Sequence, residues 1–266
     1  MTETSGADEL DGVDVQLDDD QVATVTFARP PNNFFDLELV TGIADACESL
    51  DHERSCRAIV LRGLGKHFCA GAKLEAGAED LISKASVETN PLYAQAVRLA
   101  DCAVPMVAAV QGAAIGGGLG VALVADFRVA SPGARFAVNF AQLGMHHGFG
   151  ITVTLPGVVG QQHAMDLLYT GRRVSGDEAL RIGLIDKLVP EDQLLSTAYE
   201  LAFSIAASAP LAVRSIRETM RGDLAAKMAS ATAREHAEQR VLRATADYRE
   251  GVASYAERRP GRFEWR

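Results

Sequence analysis

A run of glycines between an apolar segment and a helix-compatible segment constrains this chain more than any other feature. Residues 111–120 read QGAAIGGGLG, after the apolar residues 104–110 and before the helix-compatible residues 121–126. A backbone without Cβ atoms can approach a ligand closely, and the N–H groups at the start of a helix have no intrahelical partners. An oxyanion therefore fits at this turn, although glycines that serve only tight packing would give the same pattern.

A second segment of small residues strengthens the ligand interpretation. Residues 66–74 read KHFCAGAKL and follow the strand-like residues 58–62, AIVLR. Two strand ends that carry small residues, about 45 positions apart, can face each other across one cleft. If each end offers one backbone N–H, the pair forms an oxyanion hole with two donors.

These segments, with two more near the C-terminus, resemble the crotonase superfamily, also called the enoyl-CoA hydratase/isomerase family. The similarity runs from about residue 13 to the C-terminus and is carried by HFCAGAKL, VQGAAIGGGLGVALVADFRVA, SGDEALRIGLIDKLV and AERRPGRF. It implies an α/β fold, a crotonase-like spiral of repeated ββα units with a C-terminal helical trimerisation region. It also implies an acyl-CoA thioester as substrate, whose carbonyl oxygen accepts from the N–H groups of Ala72 and Gly117.

The chain divides into three expected parts. The first part, residues 1–12, is acidic and contains glycine, which predicts disorder. The resemblance implies a spiral core at 13–200 and a helical region for oligomerisation and CoA closure at 201–266. It further implies these substrate-binding positions: Pro31, Ala70, Lys73, Leu74, Gly116, Gly120, Phe140, Arg262 and Phe263. Lys73 replaces an aspartate of the family pattern, which bears on contacts to the adenine or phosphates of CoA.

The chain departs from the family at both catalytic glutamates. Hydratases of this family use two glutamates to activate water and protonate the substrate, and the matching positions here are Gly120 and Phe140. Neither residue can carry a proton. The sequence therefore predicts that ordinary hydration by a glutamate dyad is lost, and it also weakens a single-glutamate isomerase interpretation.

Two histidines lie where a replacement acid or base is expected. Some relatives place an aspartate at the position of Gly148, directly after His146 and His147. Histidine titrates near neutrality and can act as base, acid or nucleophile, and some C–C bond hydrolases of the superfamily use one. Both histidines are acid/base candidates, His146 ahead of His147. The alternative is a pair that only caps the next helix or hydrogen-bonds the backbone.

The other titratable residues have simpler interpretations. His67 is expected to point outward, and three further histidines are expected at the surface: His52, His163 and His236. Asp126 belongs to the family's Asp-Phe-Arg pattern and predicts packing support. Because no cluster has metal-ligand spacing and neither Cys-x-x-Cys nor His-Glu-x-x-His occurs, no metal is expected.

Sequence motifs for several other activities are absent. A dinucleotide fingerprint G-x-G-x-x-G fails at Val121, and neither a G-x-x-x-x-G-K-[ST] phosphate loop nor a Gly-x-Ser-x-Gly nucleophile elbow occurs. No cofactor is therefore expected, since coenzyme A would be part of the substrate.

The charge balance narrows the classes of partner. With 26 basic and 35 acidic residues the net charge is −9, which disfavours nucleic acid and anionic lipid. The 266 residues, 48% of them hydrophobic, suffice for one large domain. Polyanionic CoA then needs local cations, for which the sequence offers a C-terminal group: Arg258, Arg259, Arg262 and Arg266. An exposed, solvated tail is the alternative for these arginines.

Cysteine usage and hydropathy favour a reduced, cytoplasmic protein. The four cysteines are scattered without the spacing of a small disulfide scaffold: Cys47, Cys56, Cys69 and Cys102. Residues 102–127 are apolar, but Pro105, Gln111 and five glycines interrupt them, so a buried strand, turn and helix explains them better than a membrane span.

Periodicity predicts alternating strands and helices. Paired strands are expected at 13–17 and 22–28 around an acidic turn at 18–20, and a helix capped by Asp36 at 36–50. The other expected strands are 58–62, 106–110 and 127–130. The expected later helices are 177–183, opened by the capping box Ser175-x-x-Glu178, then 191–207, 210–222, 225–244 and 248–258. Residues 75–92 are low in pattern and expected to be poorly ordered without ligand.

Three functions are compatible with the sequence. The first is an acyl-CoA enzyme of the lyase or isomerase type that stabilises a thioester enolate without the glutamate dyad. The second is a non-catalytic acyl-CoA-binding protein, with Phe140 and Phe149 filling the former site. The third is a histidine-dependent C–C bond or thioester hydrolase that uses His146. Apolar faces on the last helices and the resemblance both predict a homotrimer or a dimer of trimers.

Overall fold

A six-stranded sheet organises the fold in the computed structural model, which describes residues 10–72 and 90–266. Its strands are β1 (Gly12–Leu17), β2 (Val22–Ala28), β3 (Ala58–Gly63), β4 (Met106–Val110), β6 (Phe127–Ala130) and β9 (Lys187–Leu188). Their order is β1-β2-β3-β4-β6-β9. The β1–β2 hairpin is antiparallel and the other neighbours are parallel, as expected where connections run through helices.

A smaller sheet of short strands lies beyond the carboxyl ends of β3 and β4. Its strands are β5 (Ala113–Ile115), β7 (Arg135–Ala137) and β8 (Val174–Ser175). β5 pairs parallel with β7, and β7 pairs antiparallel with β8. This sheet was not predicted, because strands of two or three residues are too short to show a period of two.

Helices connect the strands and make up most of the last 70 residues. In chain order they are α1 (Leu37–His52), α2 (Pro91–Asp101), α3 (Gly117–Val124), α4 (Ile151–Thr170), α5 (Gly176–Arg181), α6 (Leu194–Ala206), α7 (Pro210–Arg221), α8 (Leu224–Arg243) and α9 (Ala246–Ala256). Two 3₁₀ turns are also present, Ala141–Leu143 and Glu191–Gln193. The predicted strands and later helices are therefore confirmed to within a few residues.

Strand β4 is buried on both faces, which explains why its sequence is a continuous apolar run. Met106, Ala108 and Val110 belong to the large core with α1, α2 and α3. Val107 and Ala109 point the other way, into a second core that α6 covers. The alternation follows from the period of two along a strand, and burial on both faces is typical of central parallel strands.

Both predicted helix caps are confirmed. The Asp36 carboxylate accepts a hydrogen bond from the backbone N–H of Leu39 at 2.8 Å, and the Ser175 hydroxyl accepts from that of Glu178 at 3.3 Å. Each bond satisfies an N–H that has no intrahelical partner. Local sequence was sufficient here, because a cap and its helix are neighbours in the chain.

One expectation is corrected by the structure, and several others concern residues outside those it describes. Gly12, assigned to the disordered tail, begins β1 and pairs with Ala28. The tail up to residue 9 and most of 75–92 lie outside the described residues, as do Lys73 and Leu74.

Asp126 anchors α7 to the core, in agreement with its expected packing role. Its carboxylate accepts from the backbone N–H of Met106 at 2.8 Å and pairs with Arg217 at 3.0 Å and Arg221 at 2.5 Å. All three charged side chains are largely buried, so loss of Asp126 would leave two buried guanidinium groups without a carboxylate partner, which is strongly destabilising.

The four cysteines are unpaired and buried. Among the described residues no single helix is long and apolar enough to cross a membrane. One pair of helical segments, Glu191–Ala206 and Pro210–Arg243, is together long and apolar enough, but the pair is bent by 105°.

Candidate active site

The two segments of small residues run side by side, as the sequence predicted. Cys69 forms a parallel bridge with Ala114 of β5. The Cys69 N–H donates to the Ala113 carbonyl at 2.9 Å, and the Ile115 N–H donates back to the Cys69 carbonyl at 3.0 Å. Residues 69–72 therefore lie next to the first turn of α3.

Glycine is required where these segments touch. A Cβ at Gly118 would lie 2.5 Å from the Cys69 carbonyl oxygen, and one at Gly71 would lie 3.0 Å from that of Ile115. Gly71 and Gly116, the residue that caps α3, both have positive φ, +87° and +56°, which L residues rarely adopt. Close approach of the two backbones thus depends on the glycines.

The two backbone N–H groups predicted as oxyanion donors belong to residues at this junction, Ala72 and Gly117. Gly117 is the first residue of α3, so its N–H has no intrahelical partner and lies at the positive end of the helix dipole. Ala72 is exposed and follows Gly71 on the adjacent segment. The structure brings the chain segments of the two donors together, and Ala70 and Gly116 belong to the same two segments.

The loop that carries Pro31 packs against the same junction. The backbone carbonyl of Asn32 accepts from the Ala70 N–H at 3.2 Å, and the Phe35 N–H donates to the Gly71 carbonyl at 2.9 Å. The buried Asn33 amide donates to the carbonyls of Leu64 and His67, each at 2.8 Å. Sequence reasoning missed Asn33 and Phe35, because their partners lie more than 30 positions away.

Aromatic rings surround the start of α3. Phe35 and Phe149 pack edge to face, with ring centroids 5.0 Å apart and an interplanar angle of 82°. A Cβ at Gly117 would lie 2.6 Å from Phe35 ring carbons, and one at Gly116 would lie 3.5 Å from Cζ of Phe140. This ring shell, Phe35, Phe140 and Phe149, gives the junction an apolar wall.

Gly120, at the first glutamate position of the family pattern, faces Phe149. A Cβ at Gly120 would lie 2.7 Å from Cδ1 of Phe149, closer than real contacts allow, and Phe149 is 1% exposed. Space for a longer side chain is therefore occupied by a ring. Gly148 is blocked in the same way, since its Cβ would lie 2.0 Å from the Tyr93 hydroxyl.

The two candidate histidines stack on each other, with centroids 4.1 Å apart. Nδ1 of His146 lies 2.8 Å from the carbonyl oxygen of His147. A carbonyl only accepts, so Nδ1 of His146 carries the proton and its Nε2, in the neutral ring, has a free lone pair. Burial first, and then the neighbouring His146, lower the pKa of His147 to about 4. His147 is thus neutral at pH 7.

The remaining histidines differ from expectation in two places. His236, expected at the surface, is 3% exposed on α8, and its ring packs edge to face against Tyr93 with centroids 6.3 Å apart. Nδ1 of His67 accepts from the Ala113 N–H at 3.1 Å, so this side chain turns toward β5 and not outward. His52 and His163 are exposed, as predicted.

The C-terminal tail folds back on α9 of the same chain. The Asp247 carboxylate accepts from the N–H groups of Glu264 and Trp265, and the Glu250 carboxylate accepts from that of Arg262. Arg259 pairs with Glu250 and, chiefly through that hydrogen bond, lowers the pKa of Glu250 to about 2. Of the residues predicted to contact CoA, Arg262 and Phe263 are exposed. Arg259 instead forms ion pairs with the carboxylates of Glu250 and Glu257.

Comparison with known proteins gives one consistent family. The family model described as enoyl-CoA hydratase/isomerase matches residues 18–266. The short-chain-enoyl-CoA hydratase of Clostridium acetobutylicum is 32% identical over 244 residues, covering 90% of this chain and 92% of its own. The crotonyl-CoA hydratase of Syntrophomonas wolfei is 32% identical over 248 residues, covering 92% and 95%.

Solved structures that are similar to this chain carry names from the same family. The crystal structure of an enoyl-CoA hydratase/isomerase from Pseudoalteromonas atlantica T6c is similar with a TM-score of 0.84 and 30% identity, covering 95% of this chain and 100% of that one. An enoyl-CoA hydratase from Mycobacterium avium subsp. paratuberculosis K-10 gives a TM-score of 0.81 at 27% identity, covering 95% and 98%.

Proposed function

The chain belongs to the enoyl-CoA hydratase/isomerase family, with the crotonase fold, and we propose that it is an acyl-CoA enzyme of the lyase or isomerase type that is not an ordinary hydratase. In this proposal the thioester carbonyl accepts hydrogen bonds from the N–H groups of Ala72 and Gly117. These donors stabilise the enolate that forms when a proton leaves the α-carbon. Coenzyme A enters only as part of the substrate.

The observation that carries the proposal is the packing at the start of α3. The backbone of residues 69–72 is hydrogen-bonded beside the helix start, which supports an oxyanion hole. The ring of Phe149 fills the space beside Gly120, which argues against a glutamate dyad. A site with this composition can polarise a carbonyl but needs another group to move protons.

We assign that role to His146. Its Nδ1 proton is engaged by the His147 carbonyl, so Nε2 is the ring nitrogen available to a substrate. His146 is half-buried, and its neighbour His147 is neutral at pH 7. In the step we propose, the α C–H electron pair moves into the enolate, its charge lies on the thioester oxygen, and the proton is transferred to Nε2.

The rival function is acyl-CoA binding without catalysis. It is favoured by the same ring shell, because loss of both glutamates, with Phe140 and Phe149 filling the space, is what an abandoned active site looks like. Exchange of α-hydrogens separates the two: an enzyme that forms the enolate incorporates deuterium into butyryl-CoA in D₂O, and a binding protein does not. Binding of butyryl-CoA by calorimetry with no exchange above the uncatalysed rate would overturn the catalytic proposal.

The oxyanion hole is tested with a matched pair of variants. Gly117→Pro removes the N–H at a helical position that tolerates proline, and Gly117→Ala retains it. Both add a Cβ that meets Phe35, so both are made in a Phe35→Ala background. Loss of one oxyanion donor typically costs about 10²–10³-fold in rate. Equal exchange rates in the two double variants would remove Gly117 from the mechanism.

His146→Ala tests the base, with His163→Ala, an exposed histidine on α4, as control. We expect the first to lose about 10²-fold or more of the exchange rate and the second to lose little.

Assembly and location are proposed on separate grounds. α7 has no buried residue within the described chain and exposes Leu211, Ile216 and Met220, which supports a homotrimer or a dimer of trimers. The four unpaired, buried cysteines support a reducing, cytoplasmic location.

A further inference from the structure

One face of α8 holds the loop that carries the histidine pair. Glu235 and Gln239 are one turn apart, so their side chains lie on the same side of the helix. The Gln239 amide donates to the His146 carbonyl at 2.8 Å, and its oxygen accepts from the Tyr93 hydroxyl at 2.6 Å. The backbone of His146 is thereby fixed from α2 and α8 together.

Glu235 is the one fully buried carboxylate among the described residues. It has no Lys or Arg partner in the described chain, and Nε2 of His147 lies 3.9 Å from Oε1. Burial of an unpaired charge is costly unless hydrogen bonds satisfy it. Three donors do so: the backbone N–H groups of Gly150 at 2.8 Å and Thr152 at 3.0 Å, and the Thr152 hydroxyl at 2.6 Å.

Helix capping explains two of these bonds. Gly150 caps α4 and has no side chain, so Glu235 supplies the acceptor that the N-terminus of α4 lacks, and its charge complements the helix dipole. The third donor, the Thr152 hydroxyl, also lies 2.8 Å from Nε2 of His147. The hydrogen bonds therefore extend from Glu235 through Thr152 to His147.

The acceptors determine which atom carries each proton in this series of hydrogen bonds. An ionised carboxylate only accepts, so Thr152 donates its single hydroxyl proton to Glu235. Toward His147 the hydroxyl oxygen can then only accept, and Nε2 of His147 must carry a proton. Neutral His147 is therefore the Nε2–H tautomer, and its stacked neighbour His146 is the Nδ1–H tautomer.

We propose that Glu235 is a positioning residue for His146: acting through Thr152, it holds His147 as the Nε2–H tautomer and so fixes the stacked ring whose Nε2 accepts the substrate proton. The proposal rests on the proposed function of His146 as base. It assigns the histidine pair two different roles, one that receives the proton and one that stays neutral and orients the other. No relation between Glu235 and the site is visible from the sequence, since 83 positions separate it from Thr152.

The test reads the tautomers directly. In the full-length protein labelled with ¹⁵N-histidine, two-dimensional NMR at pH 7.5 should show protonated Nε2 for His147 and protonated Nδ1 for His146. In Glu235→Gln a single amide oxygen replaces two carboxylate oxygens that serve three donors, so the Thr152 hydroxyl competes with the backbone N–H groups for an acceptor. Where the hydroxyl donates to His147 instead, that ring shifts toward the Nδ1–H tautomer. Glu238→Gln, a half-buried carboxylate of α8 whose partner is Arg234, is the matched control and should leave both rings unchanged.

A second pair of variants keeps the test valid if Glu235→Gln folds poorly. Thr152→Val removes the hydroxyl and should mix the His147 tautomers, whereas Thr152→Ser should restore the Nε2–H form. In the butyryl-CoA exchange assay we expect Thr152→Val to lower kcat about tenfold or more at unchanged KM, because a His147 of mixed tautomer no longer holds the His146 ring in one orientation, and a positioned base contributes about 10²–10⁴-fold. Thr152→Ser should return most of that loss.

The outcomes separate this inference from the proposed function. A wild-type His147 in the Nδ1–H form, or a tautomer that Thr152→Val and Glu235→Gln leave unchanged, overturns the role of Glu235. Tautomers as proposed, with exchange that is indifferent to His146→Ala, overturn the function of His146 as base and with it the positioning role, while the hydrogen-bond directions stand.

Discussion

A Cβ added to Gly120 would lie 2.7 Å from Cδ1 of Phe149, so these two residues are fitted to each other. Gly120→Ala should therefore destabilise the protein although alanine is the better helix former. Overpacking of a buried site costs about 1–3 kcal/mol, against a gain of about 0.5–1 kcal/mol for glycine to alanine within a helix. Urea denaturation of Gly120→Ala, Phe149→Ala and the double variant measures the coupling. Additive changes in unfolding free energy would show that the two residues do not clash.

Hydration of crotonyl-CoA should be very weak. A positioned acid or base contributes about 10²–10⁴-fold, and Gly120 and Phe140 provide neither. Steady-state absorbance assays should give a kcat well below the typical ~10 s⁻¹. An ordinary rate in the unmodified protein would mean that the glutamate positions are assigned wrongly or that His146 replaces both, and His146→Ala decides between these.

Restoration of hydratase activity should require three substitutions. Gly120→Glu with Phe140→Glu supplies the carboxylates, but the Phe149 ring occupies the space that a side chain at position 120 needs. Adding Phe149→Ala opens that space, so the triple variant should hydrate crotonyl-CoA faster than the double variant. Melting temperatures measured alongside control for the cost of burying a carboxylate without a partner. Equal rates in the two would show that Phe149 is not the obstacle.

Acid should destabilise the protein in part through His147. Its pKa falls from 6.5 to about 4 on folding, so between these values the unfolded chain binds a proton that the folded chain does not. The contribution of the neutral ring is complete above pH 6.5 and is lost as the pH falls toward 4, by of order 3 kcal/mol. Unfolding free energies at several pH values should fall less steeply for His147→Gln than for wild type, and His163→Gln should follow wild type. Parallel curves for His147→Gln and wild type would contradict the buried, neutral assignment.

Light scattering should give the mass of a trimer or hexamer. Leu211 and Met220 are 82% and 78% exposed on α7, so Leu211→Glu with Met220→Glu should shift the protein to smaller species without unfolding the chain. Gln161→Glu with Gln162→Glu adds the same charge on the exposed surface of α4 and should leave the mass unchanged. A stable wild-type monomer at micromolar concentration would contradict the assembly.

Much of the fold is determined by local sequence. The alternation along β4, the caps Asp36 and Ser175 and the glycine turn before α3 each involve residues within a few positions of one another. Their physics is therefore readable from spacing alone. The same holds for the pairing of segments 69–72 and 115–118, because both follow parallel strands that end at one edge of the sheet.

The tertiary structure alone decides what lines the candidate site. Phe35 meets Gly117, Phe149 meets Gly120, and Glu235 caps α4 and reaches His147 through Thr152; the members of each pair are 29 to 88 positions apart. His236 shows the same limit, since a histidine on a mixed helix gives no sign of burial until α2 packs against α8. Periodicity indicates which face of an element is apolar, but not which residue of a distant element contacts that face. Those contacts depend on how whole helices pack against one another, and this packing is determined only by the complete fold.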